Sequence, residues 1–397
     1  MKEILHEAHE IKAYLLSARR RLHSLAECGF DLPKTHDFVN KELLSMGYKP
    51  QACGRCGITA TLGTRDAHAP VVLLRADMDA LPLREETRLP FRSESGRMHA
   101  CGHDMHTAML LGAARLLRKR EASLPAAVRF AFQGAEEILS GAADMTACGV
   151  IAGVGAAFML HVVPAVPYPT GTVLLPPAGV GAPAAAFFTV TLSGEAAHAG
   201  SRGGSDALRA AVGLYSALFS AQKTIGGDLL LSIGTLHAGD APNIVAGRAT
   251  FTGTFRSTDP QKMHAFADAI KREAAALSGG VTARVHFDGR CPALKNHPAP
   301  LGVIREMLAG NALPFLTPTG SGGAAAEDFA VFAERVPSVA LALTAGEASR
   351  GYMHPLHHPA VVFDEDALPV GAALYAMAAT VLGDALRLQT FTSPTPA

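Results

Sequence analysis

Four short apolar runs, each giving way to a knot of polar residues, constrain this chain more than any other feature. They are Val71-Val-Leu-Leu74, Val128-Arg-Phe-Ala-Phe132, Ala156-Ala-Phe-Met-Leu160 and Ser338-Val-Ala-Leu-Ala-Leu343. Continuous apolar runs of this length read as strands buried on both faces. Helical segments such as Thr107 to Arg118 separate them. Strand alternating with helix predicts an α/β domain with a largely parallel sheet flanked by helices. Arg75-Ala-Asp77-Met-Asp79 follows the first run and Gln133-Gly-Ala-Glu136-Glu137 the second. His161 follows the third, and the fourth leads to Thr344-Ala-Gly346 and then His354, His357 and His358. Polar groups thus collect beyond the carboxyl ends of the strands, where open α/β sheets build their sites.

The rest of the chain fits round that frame. At the N-terminus, Ile4, Ala8, Ile11, Leu15, Ala18, Leu22 and Leu25 repeat at helical spacing and predict one amphipathic helix. The middle reads differently. Phe187 to Leu192, Leu229 to His237, Ala249 to Phe255 and Val281 to Phe287 are strand-like. Ser205 to Gln222 and Gln261 to Leu277 are helical, the first with Leu208, Ala211, Val212, Tyr215, Leu218 and Phe219 on one face. The order β-α-β-β-α-β is the ferredoxin-like split motif. With 397 residues, two domains are expected. Residues 1–181 and 292–397 would form the α/β domain and 182–291 an inserted α+β domain.

Lys plus Arg equals Asp plus Glu at 35 each, which argues against a nucleic-acid partner. The most apolar run, Gly149 to Val163, is interrupted and includes His161, so no membrane span is expected. Met1-Lys-Glu-Ile-Leu-His-Glu lacks a signal-peptide layout, and the expected location is the cytoplasm. The six cysteines are scattered and do not form a disulfide framework. Cys53-Gly-Arg-Cys56 has zinc-ribbon spacing without a second pair, and reads as a glycine-rich turn with free thiols. The tail from Thr390 to Ala397 reads as disordered.

Cys101, His103, Glu137, His161 and one late histidine supply thiolate, imidazole and carboxylate, a set suited to zinc, or to manganese with more oxygen ligands. Gly102 allows a tight bend between Cys101 and His103. Five donors exceed the needs of one tetrahedral ion, so two ions sharing a ligand are expected. Adjacent acids at a strand end need a positive neighbour. Glu136-Glu137 therefore reads either as a metal ligand beside a proton carrier or as a helix N-terminus, where acids are favoured.

These residues resemble a known family. Met98-His-Ala-Cys-Gly-His-Asp-Met-His-Thr107 is similar to the metal-binding signature of the aminoacylases, hippurate hydrolases and auxin-conjugate amidohydrolases, relatives of carboxypeptidases and dipeptidases. Arg20-Arg-Leu-His23, Leu74-Arg-Ala-Asp-Met-Asp-Ala-Leu-Pro82, Phe132-Gln-Gly-Ala-Glu-Glu137, Met159-Leu-His161, Ala326-Glu-Asp-Phe329 and Leu356-His-His-Pro359 extend the likeness from about residue 15 to 385. The resemblance implies metal-dependent hydrolysis of an N-acyl amino acid. It implies Cys101, His103, Glu137, His161 and His357 as ligands of two divalent ions, with Cys101 bridging. Zinc or manganese leads, with cobalt or nickel as alternatives. Glu136 is implied as general base, and His357 is preferred to His358 by the pattern Leu-His-x-Pro. The inserted domain is implied to be a lid and dimerisation surface, giving a homodimer or homotetramer. Within it His198 is implied to stabilise the oxyanion and Asn243 to lie near the substrate. Arg256 reads either as a partner for the substrate carboxylate or as a solvated strand-end charge.

Two departures bear on specificity. The early segment reads Leu25-Ala-Glu27 where relatives carry a Pro-Glu pair. The lid loop reads His198-Ala-Gly-Ser-Arg-Gly-Gly-Ser-Asp206, with Arg202 and no second histidine. The alternatives are a dipeptidase or carboxypeptidase using the same ions, and a non-catalytic metal-binding protein.

Overall fold

The computed structural model describes residues 1–63, 69–201, 203–318 and 325–390. Arg202 of the lid loop and residues 391–397 of the tail lie outside them. The chain forms two compact units, one of Met1–Gly181 with most of the chain from Lys295 onward, the other of Ala182–Leu294.

The chain opens with α1 (Lys2–Glu10), α2 (Lys12–Leu25) and α3 (Pro33–Ser45). The hairpin β1 (Gln51–Cys53) and β2 (Gly57–Leu62) precedes β3 (Val71–Asp77), α4 (His103–Arg118), β4 (Ala127–Gln133), α5 (Gly141–Ala147) and β5 (Val154–Val163). The short β6 (Val173–Leu174) and β7 (Gly179–Ala182) lead to the second unit. That unit holds β8 (Ala184–Ser193), β9 (Ala197–His198), α6 (Ala207–Ile225), β10 (Leu230–Ala238), β11 (Ile244–Val245), β12 (Arg248–Ser257), α7 (Pro260–Ala275) and β13 (Thr282–Cys291). Then come β14 (Leu294–Asn296), α8 (Pro298–Gly310), β15 (Phe315–Leu316), α9 (Ala330–Ala333), β16 (Ser338–Thr344) and α10 (Ala367–Arg387).

The first unit is an α/β structure on an eight-stranded sheet ordered β1-β2-β4-β3-β5-β16-β6-β15. Its centre is parallel, as expected: β3 pairs parallel with β4 and β5, and β16 parallel with β5. The margins turn it into a mixed sheet, since β2 runs antiparallel to β4 and β6 antiparallel to β16. All seven residues of β3 are buried, which explains its uninterrupted apolar run. With four central strands pointing one way, the segments after Asp77, Gln133, Val163 and Thr344 leave from one edge of the sheet.

The N-terminal helix is two helices. Ile11 sits at φ −87°, ψ 12°, which ends α1 and starts α2 while the apolar face continues through Ile4, Ala8, Leu15, Ala18 and Leu22. Helix α4 packs on α2 and α10. At Gly112 a Cβ would stand 2.5 Å from Leu15 Cδ2 and 2.9 Å from Ala372 Cβ, so glycine permits this approach. Helix α10 is a second apolar stretch beside the run at 149–163. By length and composition it is apolar enough to cross a membrane, yet 78% of that window is buried within the protein. It packs against α1, α4, α8 and β5, so its apolar composition serves the core.

The second unit has the sheet order β10-β12-β8-β13, with all three pairings antiparallel. This is the split β-α-β motif, with α6 and α7 packed on the sheet. Asp206 and Asp259 cap the two helices by accepting from Arg209 N and Gln261 N. Phe188, Phe251, Phe255, Phe266, Leu214 and Leu218 fill the core. The single apolar face expected for α6 is two stripes: Ala211, Leu214 and Leu218 point inward, whereas Leu208, Val212 and Tyr215 are 41%, 50% and 39% exposed.

Candidate metal centre

In the first unit, backbone features at two strand ends, at the start of α4 and in the loop before α10 place the donors. Gly102, at φ +84°, caps α4 between Cys101 and His103. A Cβ there would lie 2.4 Å from Val162 Cγ2 and 3.1 Å from Phe363, so both the conformation and the space demand glycine. His103 begins α4, earlier than the helix start expected at Thr107. Its Nδ1 donates to the Asp79 carbonyl at 2.8 Å, which orients the ring with Nε2 toward the other donors. His161 lies within β5, near its end, rather than after it. Its Nδ1 donates to the Val162 carbonyl at 2.8 Å, so its Nε2 carries the lone pair, 3.4 Å from Cys101 Sγ. His357 holds φ +64°, unusual for a residue with a side chain, and its N–H bonds Ala100 O. Its Nε2 is 3.3 Å from Cys101 Sγ and 3.7 Å from Glu137 Oε2.

The acid pair lies in a tight turn after β4. Ala135 and Leu139, at φ 59° and 51°, flank it. Helix α5 begins only at Gly141, which rules out the helix N-terminus as the reason for the pair. Buried Asp79 accepts from both Glu136 N (3.0 Å) and Glu137 N (3.2 Å) and so clamps the turn. Glu137 Oε1 is 3.9 Å and Glu136 Oε2 4.0 Å from His103 Nε2.

Among the described residues five three-donor groups could hold an ion, and two of them contain Cys101: Cys101, His103 and His161, and Cys101, Glu137 and His357. Within each, the donor atoms lie within 4.8 Å of one another, and Cys101 belongs to both. Donors round a tetrahedral ion at zinc-like bond lengths stand roughly 3.3–3.7 Å apart. Among the described residues, buried His103 Nε2 and Glu137 Oε1 have no hydrogen-bond partner, an arrangement that suits a cation. Burial, joined by the Glu137 charge, pushes the Cys101 thiol well up. Burial, with Asp79 and Asp77, raises Glu137 to about 7 despite His103. Burial depresses His161 to about 3 and lowers His357, so both rings are neutral and ready to ligate. Burial would also depress His103, but Asp77 and the bond to Asp79 hold it well above the usual value. The donor set fits two divalent ions.

The sequence reading assigned no role to Asp79, Asp77 or His106, although the first two stand in the quoted Arg-Ala-Asp-Met-Asp segment. His106 takes an N–H bond from Val162 N at Nε2 (2.8 Å), so Nδ1 carries the proton and donates it to Asp77 Oδ1 at 2.6 Å. This pair braces the strand beside His161. Of the remaining candidates, His198 pairs with Ile244 in the ribbon of β9 and β11, and Ala199 N bonds Asn243 O, so His198 and Asn243 are neighbours on the second unit. Both are exposed. Arg256 sits half-buried near the end of β12, on the four-stranded sheet. Among the described residues, Cys53 and Cys56 join no group of three potential metal donors, and all six cysteines are free thiols.

The profile of Peptidase family M20/M25/M40 matches residues 73–380. The N-acetylcysteine deacetylase of Bacillus subtilis (strain 168) is 32% identical over 94% of this chain and 98% of its own length. An IAA-amino acid hydrolase of Arabidopsis thaliana is 30% identical over 92% of this chain and 84% of its own. Thermostable carboxypeptidase 1 of Saccharolobus solfataricus is 30% identical over 96% and 98%. Among solved structures, a dinuclear metal binding peptidase of this family from Bacillus subtilis superposes with a TM-score of 0.73 at 30% identity, covering 95% of this chain and 99% of that one.

Proposed function

Because the chain belongs to peptidase family M20/M25/M40, we propose that it is a two-metal amidohydrolase cleaving the amide bond of N-acyl amino acids to a carboxylic acid and a free amino acid. The observation that carries this reading is the pair of donor groups sharing Cys101 with a further carboxylate, Glu136, beside them. Relatives named as an N-acetylcysteine deacetylase and as IAA-amino acid hydrolases support the substrate class.

Cys101, His103, Glu137, His161 and His357 are the proposed ligands. Two divalent ions held there would polarise the amide carbonyl and acidify water. Thiolate and imidazole favour zinc; manganese, cobalt and nickel also accept such a set. Glu136 takes the proton of the attacking water and returns it to the leaving amine. The clamp of Asp79 on the turn keeps that carboxylate in place beside the donors. His198 is the proposed donor to the oxyanion, a role typically worth roughly 3 kcal/mol. Asn243 and Arg256 are proposed to meet the substrate, Arg256 through its carboxylate.

Ion uptake carries a pH signature. Below about 7 the ion-free Glu137 is protonated and a cation must displace that proton; above it the carboxylate is already free. Each displaced proton changes affinity by up to about tenfold per pH unit. The dissociation constant is expected to loosen by at least about tenfold from pH 8 to pH 6. Competition with a chelating dye measures it, and a flat profile would remove Glu137 from the ligand set.

The exposed stripe Leu208, Val212 and Tyr215 and the edge strand β10, with Leu230 and Leu236 exposed, support a homodimer or homotetramer through the second unit. Val212→Asp is expected to shift the mass in light scattering to that of one chain. The free thiols fit a reducing compartment, and the cytoplasm is the proposed location.

The test is a chromatographic screen of acetyl, benzoyl and indole-acetyl amino acids and dipeptides with the metal-reconstituted protein. Turnover of N-acyl amino acids is expected. Turnover confined to dipeptides would replace this reading with the peptidase one, which the carboxypeptidase relatives favour.

A further inference from the structure

One buried aspartate touches the acid-bearing turn and its flanks at three points. Asp328 is fully buried. Its Oδ1 accepts from Gln133 Nε2 at 2.7 Å, just before the turn, and its Oδ2 from Ala142 N at 2.9 Å, just after it. In between, its own main-chain N–H donates to Glu136 Oε1 at 3.4 Å.

Arg75, also fully buried, holds this carboxylate. Its Nη2 donates to Asp328 Oδ1 at 2.9 Å, its Nε to Gln133 Oε1 at 3.0 Å and its Nη1 to Asp77 Oδ2 at 2.8 Å. Gln133 has no freedom to flip, because its oxygen must face Arg75 and its amide Asp328. The guanidinium therefore ties the scaffold of the base to Asp77, which braces His106. Buried charges of this kind are poor devices for stability alone, since apolar groups of similar size serve as well or better. What this cluster determines is geometry.

We infer that Asp328, oriented by Arg75 and Gln133, is a positioning residue for Glu136, setting the direction of its carboxylate through the Asp328 main-chain N–H. This rests on the reading of Glu136 as proton acceptor. Misplacing a reacting group by about 1 Å can cost a factor on the order of 10² in rate. Asp328→Asn tests the inference with little change of shape. Both Asp328 oxygens face donors, so the new amide must point N–H at N–H whichever way it turns.

The expected result is a kcat lowered about 30-fold or more with KM within about threefold of wild type, and two ions per chain retained by elemental analysis. A kcat within about twofold of wild type would overturn the inference. So would a loss of activity that merely tracks a loss of bound metal. If Asp328→Asn does not fold, Gln133→Met is read by the same criteria, and failure of both to fold assigns the cluster to stability and overturns the positioning role. Glu136→Gln, measured alongside, separates the two claims. If it is inactive while Asp328→Asn is fully active, the base stands and only the positioning role falls. If it is fully active, the reading of the base itself fails.

Discussion

Glutamine at position 136 will leave a folded protein that keeps its two metal ions and turns over N-acyl amino acids about 10²–10⁴-fold more slowly, the range expected for loss of a positioned general base. The substitution preserves shape and removes only the ability to take a proton. Glu136 adjoins Glu137 in a turn with left-handed residues on both sides, and its main-chain N–H is gripped by Asp79. The amide should therefore occupy the place of the carboxylate without moving the ligands. The effect should fall on kcat, with KM little changed, because the proton moves only as the reaction proceeds. Full activity with metal bound would show that the proton goes elsewhere.

Alanine at position 101 will have the broadest consequence for the metal centre. Cys101 is the one donor common to both groups, so its loss weakens both ions at once. His161 Nε2 and His357 Nε2 would each lose a partner 3.3–3.4 Å away. Bound metal is expected to fall below two ions per chain at micromolar free zinc, and activity to fall by at least about 10²-fold, comparable to the removal of an electrostatic stabiliser. Cys53→Ala and Cys148→Ala serve as controls, since neither belongs to a donor group of three among the described residues. A Cys101→Ala protein with two ions and near-normal turnover would mean that the ions do not share this sulfur.

Much of the architecture was legible in the sequence because of how parallel sheets are built. Strands buried on both faces cannot alternate in polarity, so β3, β4, β5 and β16 stand out as apolar runs. Glu137 and His161 stand out as candidate donors because they lie where two of those runs end. Other features leave no such trace. The two-residue strands β6 and β15 are too short to form a run. The break at Ile11 changes one residue's backbone and leaves the apolar spacing intact. Helix α6 shows its residues as apolar without showing which stripe meets the core and which meets solvent. The grip of Asp79 on two main-chain N–H groups involves no particular partner side chain. Arg75 and Asp328 lie 253 residues apart, and only the fold brings them together. The roles of the two adjacent glutamates also stayed open on residue pattern alone. The resemblance assigned base to Glu136 and ligand to Glu137. The fold adds the clamp that holds both and an Asp328 N–H bonded to the first.

The central claim is a pair of ions sharing Cys101 in a catalytic centre. The most direct measurement counts metal and turnover on the same sample. Wild-type protein, stripped with a chelator and titrated with zinc or manganese, is analysed for bound metal per chain and assayed on an N-acetyl amino acid at each point. The stripped protein is expected to show no turnover, and titration to saturate at two ions per chain with hydrolysis restored. Full hydrolysis in the stripped protein, or saturation at a single ion with full activity, would contradict the claim.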